Sequence, residues 1–552
     1  MLARLAGPGG WCIVFVVALV VILPGLSTLP VTDRDEARFV QASKQMIETG
    51  DLIDIRFQDA PRWKKPAGIY WLQAASASSL GGVEAPIWAY RLPSALAALA
   101  TALLMIWAGT PLVGRAAAAL AGVMLASTAL FAAEANIAKT DATLMLTALV
   151  VLGAMARLLQ ARSHPGPWVA ATFWIALAAA ILIKGPIVPL IAILALIGCW
   201  LGAAGRPVMA RFRPLWGTLL MFALILPWLI AIWIISDGAF FQESLGKDLA
   251  AKVAEGKEKH WGPPGLYSLL VWLTFWPWAA LLPLALPWLW AERRAGWLVL
   301  LAAWTLPFWL ILEAVPTKLP HYVLPLYPAL ALALAAWATA APETPPRLLW
   351  RRISAGLVVV PALILALACI ALPLVLEQRL VVGAALLAVL GAFCAILAGR
   401  AALMGARRGQ IGASLIAAVF LYPATLHFAL PAMQTGFASP RIAAAAAGWR
   451  ACASGPLISA GYREPSLVFL TETDTLLATP AETAALLSDP GRLFVIEERW
   501  WPLIEAELTA PRPDLITRAE ISYFNYNRGK TERARLLTHD DPRWQPCASA
   551  TR

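Results

Sequence analysis

Residues 10–39 read GWCIVFVVALVVILPGLSTLPVTDRDEARF, an apolar run at 10–29 that passes directly into the charged segment Asp33-Arg34-Asp35-Glu36-Ala37-Arg38. About 20 apolar residues in a helix cross the hydrocarbon core of a bilayer, so 10–29 is long enough to span. No small-x-small cleavage site precedes the acidic segment, and the run reads as a retained membrane helix rather than a signal peptide. Applied along the chain, the same criterion places further spans at 87–109, 115–133, 142–160, 167–183, 186–204, 214–235, 265–290, 296–314, 321–341, 353–376, 380–399 and 410–430. The expected fold is a polytopic all-α membrane domain of about 13 transmembrane helices. Its domain, 1–430, includes a long charged loop at 30–86 with juxtamembrane helices and a second loop at 236–264.

The last stretch, 431–552, changes character: Pro, Glu, Asp, Ser and Thr return, and short apolar runs alternate with turn signals. Strands are expected at 456–460, 466–470, 475–478 and 493–497, and a short helix at 480–487. This is a small C-terminal α/β domain. Composition agrees with the overall division: of 552 residues 60% are hydrophobic and 14% charged, with 26 Trp and 42 Pro. A soluble chain carries about a quarter charged residues. Cys12, Cys199, Cys369 and Cys394 lie in apolar runs, whereas Cys452 and Cys547 flank the polar region, where a disulfide and two unrelated thiols are equally open.

Arginines mark one side of the membrane. Arg4, Arg115, Arg157, Arg162, Arg206, Arg211, Arg213, Arg293, Arg294, Arg347, Arg351, Arg352, Arg400, Arg407 and Arg408 fall in short loops on the same side, which the positive-inside rule makes cytoplasmic. The N-terminus is then cytoplasmic and the C-terminal domain periplasmic, in a bacterial inner membrane. Lys44, Lys64, Lys65, Lys139, Lys184, Lys247, Lys252, Lys257, Lys259, Lys318 and Lys530 fall on the opposite side, against that rule. Positive charge placed there asks for a reason, and binding an anion is the simplest. The net charge of +11 is a weaker sign of the same kind.

Chemistry concentrates on this lysine side. Asp35 and Glu36 stand just outside the first span, where they serve catalysis or favour the dipole of a following helix. An amphipathic pattern, Ala37, Val40, Met46 and Ile47, ending at Gly50, is expected to lie on the membrane surface. The run Arg62-Trp63-Lys64-Lys65-Pro66-Ala67-Gly68-Ile69-Tyr70-Trp71 reads as a phosphate holder or as an interface anchor. Lys139-Thr140-Asp141, Lys184-Gly185-Pro186 and Lys318-Leu319-Pro320-His321-Tyr322 each bring one lysine to a helix junction, and together with Lys64 and Lys65 they point to a pocket for an anionic lipid headgroup. The 236–264 loop reads as a gate over it or as a structural turn. No P-loop, dinucleotide glycine pattern or Cys/His metal spacing is present, which disfavours nucleotide-driven pumps, nucleotide-sugar enzymes and nucleic-acid partners.

Asp35-Glu36-Ala37-Arg38-Phe39, Lys64-Lys65-Pro66 with Tyr70-Trp71, Lys184-Gly185 and Lys318-Leu319-Pro320 resemble the membrane glycosyltransferases of the GT-C type, above all the lipid A 4-amino-4-deoxy-L-arabinose transferases and, more distantly, the dolichyl-phosphate-mannose–protein mannosyltransferases. The resemblance implies a sugar donor on undecaprenyl phosphate, an envelope acceptor such as lipid A, another glycolipid or a protein, and inversion at the anomeric carbon. It implies Asp35 and Glu36 as catalytic residues and Lys65 and Lys184, helped by Lys64 and Lys318, as donor-phosphate ligands. Arg38, Asp141, Lys139, Tyr70, His321 and Tyr322 are the expected substrate-binding residues. Two positions depart from the arabinose transferases: Lys64 and Lys247 stand where those enzymes have a Glu and a His associated with a divalent metal, so cofactor and metal are left open. A lipid or sugar transporter of envelope precursors is the rival reading. It requires charge near the bilayer midplane, which the apolar centres of these spans lack.

Overall fold

The computed structural model describes residues 5–160, 166–202, 208–249, 261–340, 346–509, 514–525 and 528–550, with the side chains of 245, 247–249 and 549–550 set aside. Among them nine helices are long and apolar enough to cross a membrane, for example Ile87–Val113, Asp141–Gln160 and Leu348–Leu376. Two bent pairs, Arg115–Ala126 with Ala129–Ala135 and Leu266–Thr274 with Trp278–Ala291, each supply one more span, and Gly9–Ile22 and Ile187–Leu201 are shorter apolar helices. Each expected span meets one of these elements, and the chain is a multi-pass integral membrane protein. Alanine and glycine line the helix contacts: Gly153 packs on Ala108 and Trp107, and Gly122 on Val14 and the Ala102 carbonyl. Without a hydrophobic difference between lipid and side chain, such close approach is what holds membrane helices together.

The first span is shorter than its apolar run. The helix ends at Ile22, and Pro24 and Gly25, the latter at φ 101°, turn the chain away from the helical path. Residues 23–29 therefore form turns, and their carbonyls need other donors. Arg91, fully buried in Ile87–Val113, supplies them: Nη1 donates to Leu26 and Leu29 and Nη2 to Pro30.

The amphipathic helix forms over Asp35–Thr49 and stops at Gly50, whose φ of 72° suits glycine alone. Its apolar face does not rest on lipid. Ala37, Val40 and Met46 are buried in the protein, because Gly68–Ser79 covers one flank and Pro465–Leu470 of the C-terminal domain the other. The helix is an internal strut between the two halves of the molecule.

The C-terminal domain is a five-stranded sheet in the order Leu476–Ala478, Ile458–Ala460, Phe494–Glu497, Lys530–His539, Leu515–Asn525. The first three strands are parallel, with Ile458 opposite Leu476 and Phe494, and the last two add antiparallel. The helix Pro480–Leu486 is as expected and begins with a Thr479/Glu482 capping box. Residues 466–470 correct the strand expectation: they are helical within Pro465–Leu470, with proline at the first turn where its missing N–H costs nothing. Cys452 and Cys547 form a disulfide across 95 residues, tying Ala438–Arg450 to the last helix. Closing a loop of that length is worth about 2–5 kcal/mol. Cys452→Ser is expected to lower the unfolding free energy of this domain by that amount under oxidising conditions, and a wild-type protein held in reductant should match the variant.

Candidate active site

Several helix ends converge at the lysine-bearing end of the bundle. Glu134 closes Ala129–Ala135, Asp141 opens Asp141–Gln160, and Lys184 ends Pro167–Lys184, where Gly185 at φ 75° releases the chain. His321 and Tyr322 come from the 3-10 turn Pro320–Leu326. Lys139 Nζ lies 2.9 Å from Glu134 Oε1, 3.2 Å from His321 Nδ1 and 3.8 Å from Asp141 Oδ2. Lys184 Nζ lies 2.5 Å from Asp141 Oδ1 and 5.5 Å from the centre of the Tyr322 ring. Both lysines and both carboxylates are buried. Burying these groups is offset by pairing each ammonium with a carboxyl group, Lys139 with Glu134 and Lys184 with Asp141. Burial works to discharge Lys139, and the Glu134 and Asp141 carboxylates more than reverse it, holding its pKa above the ordinary lysine value.

Lys64 and Lys65 approach from the side. The Cβ of any residue but glycine at position 68 would stand 2.7 Å from the Leu182 carbonyl, so Gly68 lets Gly68–Ser79 lie directly on the end of the Lys184 helix. This close approach sets the start of Gly68–Ser79, which the half-buried Lys64 and Lys65 precede in sequence, against the end of the helix that carries Lys184. Tyr70, buried on the same helix, stacks at 5.3 Å on Phe39, and the Arg62 guanidinium covers the other part of that ring at 5.2 Å. Burial raises the Tyr70 pKa, with Arg62 opposing, so the hydroxyl stays protonated.

Asp35 sits exposed on the first turn of its helix, and its charge acts on both Lys139 and Tyr70. Glu36 differs and corrects the expectation of a catalytic pair. It is buried, accepts from Arg91 Nε and Nη2 at 2.8 and 3.0 Å, from Thr32 N and Oγ1, and from Ala138 N at 2.8 Å. Burial alone would raise its pKa, but the Arg91 charge and these hydrogen bonds hold it below the usual carboxylate value. With its oxygens occupied, Glu36 is a positioning residue: it ties the Asp35 turn to the backbone next to Lys139. Together with the three carbonyls of 26–30, it uses all five Arg91 donors.

Lys318 is likewise reassigned. Its ammonium donates to the carbonyls of Leu312, Glu313 and Val315 at 2.8, 2.9 and 2.8 Å and lies 5.3 Å from the Tyr267 ring. It caps the open carbonyls of Gly296–Ala314, leaving no donor for a phosphate. Lys318→Met is therefore expected to lower thermal stability by about 1–3 kcal/mol while donor KM stays at the wild-type value. A raised KM with unchanged stability would restore the phosphate role.

Arg38 is half-buried and its charge acts on Glu464 of the C-terminal domain, away from the lysines. Asp33 donates nothing and accepts from the Ser466 hydroxyl. Burial raises its pKa to about 6, with that hydroxyl working in the other direction. Glu134 and Arg91 are the residues that sequence reasoning passed over. Each is a single ionisable group near the end of an apolar segment, and that rarity is the signal that marks them. Lys247 and most of 236–264 lie outside the described side chains. Among the described residues no set of three or more His, Cys, Asp or Glu is placed to hold a metal. Glu134, Asp141 and His321 gather here, but the Lys139 and Lys184 ammonium groups fill the space between them.

This arrangement defines a class: a polytopic membrane protein of the GT-C fold, with its polar site at one end of the helix bundle. Within that class, residues 64–233 match the family model described as dolichyl-phosphate-mannose-protein mannosyltransferase. The chain is similar to the undecaprenyl phosphate-alpha-4-amino-4-deoxy-L-arabinose arabinosyl transferase of Aeromonas salmonicida, 29% identical over 59% of each chain. It is 26% identical to the transferase of the same name from Pectobacterium carotovorum over 68% of each chain. The chain thus spans 59% of the length of the Aeromonas relative. The crystal structure of ArnT from Cupriavidus metallidurans bound to undecaprenyl phosphate superposes with a TM-score of 0.72 at 19% identity, covering 96% of this chain and 98% of that one.

Proposed function

We propose that this protein is a membrane glycosyltransferase that moves a sugar from undecaprenyl phosphate to an envelope acceptor, such as lipid A, another glycolipid or a protein, at the periplasmic face of a bacterial inner membrane. Its N-terminus is cytoplasmic and its C-terminal domain periplasmic. The observation that carries this reading is the pair of buried lysines, Lys139 and Lys184, held by Glu134 and Asp141 beneath an exposed Asp35. The named relatives act with, or are solved with, undecaprenyl phosphate.

The chemistry follows from the charges. The leaving group is the carrier phosphate, whose charge grows as the glycosidic bond breaks. Ammonium groups fixed before the reaction stabilise that charge without reorganising. Lys184 gives Asp141 one of its three donors and is oriented by it. Within the buried cluster each lysine already faces a carboxylate, Lys139 with Glu134 and Lys184 with Asp141, so an arriving phosphate draws further countercharge from Lys64 and Lys65 on the adjoining turn. Asp35 orients an acceptor hydroxyl on the opposite side of the anomeric carbon and accepts its proton. An acceptor phosphate needs no base, and Asp35 then positions a donor hydroxyl or amine.

Loss of one charge-assisted hydrogen bond costs about 1.5–3 kcal/mol, or about 10–150-fold in binding. Lys65→Gln, on a half-exposed turn, and Lys184→Gln are expected to raise donor KM by such factors in proteoliposomes supplied with undecaprenyl-phosphate-linked sugars, with product read by mass spectrometry. Unchanged donor KM in both variants would remove the lysines from donor recognition.

A transporter is disfavoured by position. Arg91, Glu134, Asp141, Lys184 and Glu313 stand at or close to the ends of their helices on the site side. A carrier that passes a polar substrate across the bilayer needs such groups at mid-depth.

A further inference from the structure

At the end of the bundle opposite the lysines, a cavity of about 310 Å³ opens where Tyr327–Ala340 and Val382–Met404 finish and Leu348–Leu376 and Arg407–Pro423 begin. Three arginines line it: Arg351 from one helix, Arg407 and Arg408 from another. Its floor is Trp337, Leu284 and Gln410. No Asp or Glu is among its described lining residues. Arg407 and Arg351 are each placed by something specific. Arg407 stacks on Trp337 at 4.6 Å and donates to the Trp337 carbonyl, Arg351 Nη1 donates to the Leu403 carbonyl, and Gln410 is locked to Ser354 at 2.8 Å. Arg351 Nε is buried and makes no hydrogen bond. A buried guanidinium donor left without an acceptor costs free energy, and an arriving oxygen recovers it. The helix Arg407–Pro423 also begins at the cavity, so its positive dipole end faces the same space.

The positive-inside bias explains arginine in a loop, but it does not explain a walled cavity with an aromatic floor and an orphaned guanidinium donor. Close in sequence to the lining residues, Leu349 and Met404 are 62% and 68% exposed on two helices long and apolar enough to cross a membrane. A phosphate inside the cavity therefore sits at headgroup level, with an apolar flank on which acyl chains can lie. We infer that this cavity binds the phosphoryl headgroup of an anionic membrane lipid. Guanidinium forks match phosphate oxygens in pairs, and basic recesses between membrane helices on the arginine-rich side suit such headgroups. The site is independent of the transfer reaction, since none of its residues touches the Lys139–Lys184 cluster.

The test is native mass spectrometry of the full-length protein released from nanodiscs of phosphatidylglycerol and phosphatidylcholine in equal amounts. The expected result is retention of phosphatidylglycerol on the wild type, reduced about tenfold by Arg351→Gln, which corresponds to one charge-assisted bond. Arg351 also holds the Leu403 carbonyl, so the exposed Arg408→Gln serves as the second variant and should reduce retention without lowering thermal stability. Equal retention of both lipids, or retention of phosphatidylglycerol unchanged in both variants, overturns the inference. Thermal protection by inorganic phosphate alone equal to that by the lipid would overturn the lipid assignment in favour of a soluble anion.

Discussion

Asp35→Asn is expected to stop transfer while leaving the protein folded. The substitution keeps the shape of the side chain and removes its charge and its capacity to take a proton. General-base help of this kind is worth about 10²–10⁴-fold in rate, and a loss in that range is the expected readout in proteoliposomes. The fold should not notice. Asp35 is exposed on the first turn of Asp35–Thr49, and the anchoring of that turn runs through Glu36, not through Asp35. The helix loses only a favourable dipole contact, about 0.3–1 kcal/mol. Thermal midpoint and expression should therefore match the wild type. Normal turnover at normal protein level would take Asp35 out of the mechanism, and a collapse in protein level would make it structural.

The neighbouring residue is expected to behave in the opposite way. Arg91→Met leaves Glu36 as a buried charge without its partner and strips donors from the carbonyls of Leu26, Leu29 and Pro30. Removing one side of a fully buried ion pair costs about 3–5 kcal/mol. The measurable result is a lower thermal midpoint and a smaller folded fraction after extraction, with turnover lost along with fold. Glu36→Leu combined with Arg91→Met should recover part of the loss, because neither charge is then left alone. An Arg91→Met protein as stable as the wild type would show that the pair does not hold the 30–36 segment. The contrast separates two adjacent acids that look alike in sequence: one is exposed, where the proposed mechanism uses it, and the other braces the backbone behind it.

Hydropathy alone located the spans, because a bilayer allows few alternatives to long apolar helices. It overran where Pro24-Gly25 broke the first helix, and it read through the breaks that bend 115–133 and 265–290, since an apolar residue in a turn reads the same as one in a helix. In the C-terminal domain, the run Ser466–Leu-Val-Phe-Leu470 is too short for periodicity to separate strand from buried helix, and Pro465 decided for helix. The long hairpin Leu515–Asn525 with Lys530–His539 went unread because Arg518, Glu520, Arg533 and Arg535 interrupt the alternation; across the sheet Glu520 pairs with Arg533 and Arg535, and Arg518 donates to Thr538. For the site, lysines on the side where topology disfavours them led to Lys139, Lys184, Lys64 and Lys65. The same argument also picked out Lys318, since charge against the bias does not say whether the anion is a ligand or a row of carbonyl oxygens. Only the fold separates them.

The grip of the C-terminal domain on Asp35–Thr49 bears on how the molecule is made. Ser466 reaches Asp33, Thr473 takes Gln41 and donates to Glu48, the Thr473 and Thr475 carbonyls hold Gln58, and Phe469 receives Lys44. These contacts join segments more than 400 residues apart, so the helix that carries Asp35 gains them only after the intervening chain has been made. Until then Glu36 and Arg91 hold the Asp35 turn from behind, and its contacts with residues 466–475 are still missing. A chain interrupted between residues 184 and 466 carries Lys139 and Lys184 and lacks the contacts that seat the acid above them, so the order of translation itself delays assembly of the site until residues 466–475 have been made.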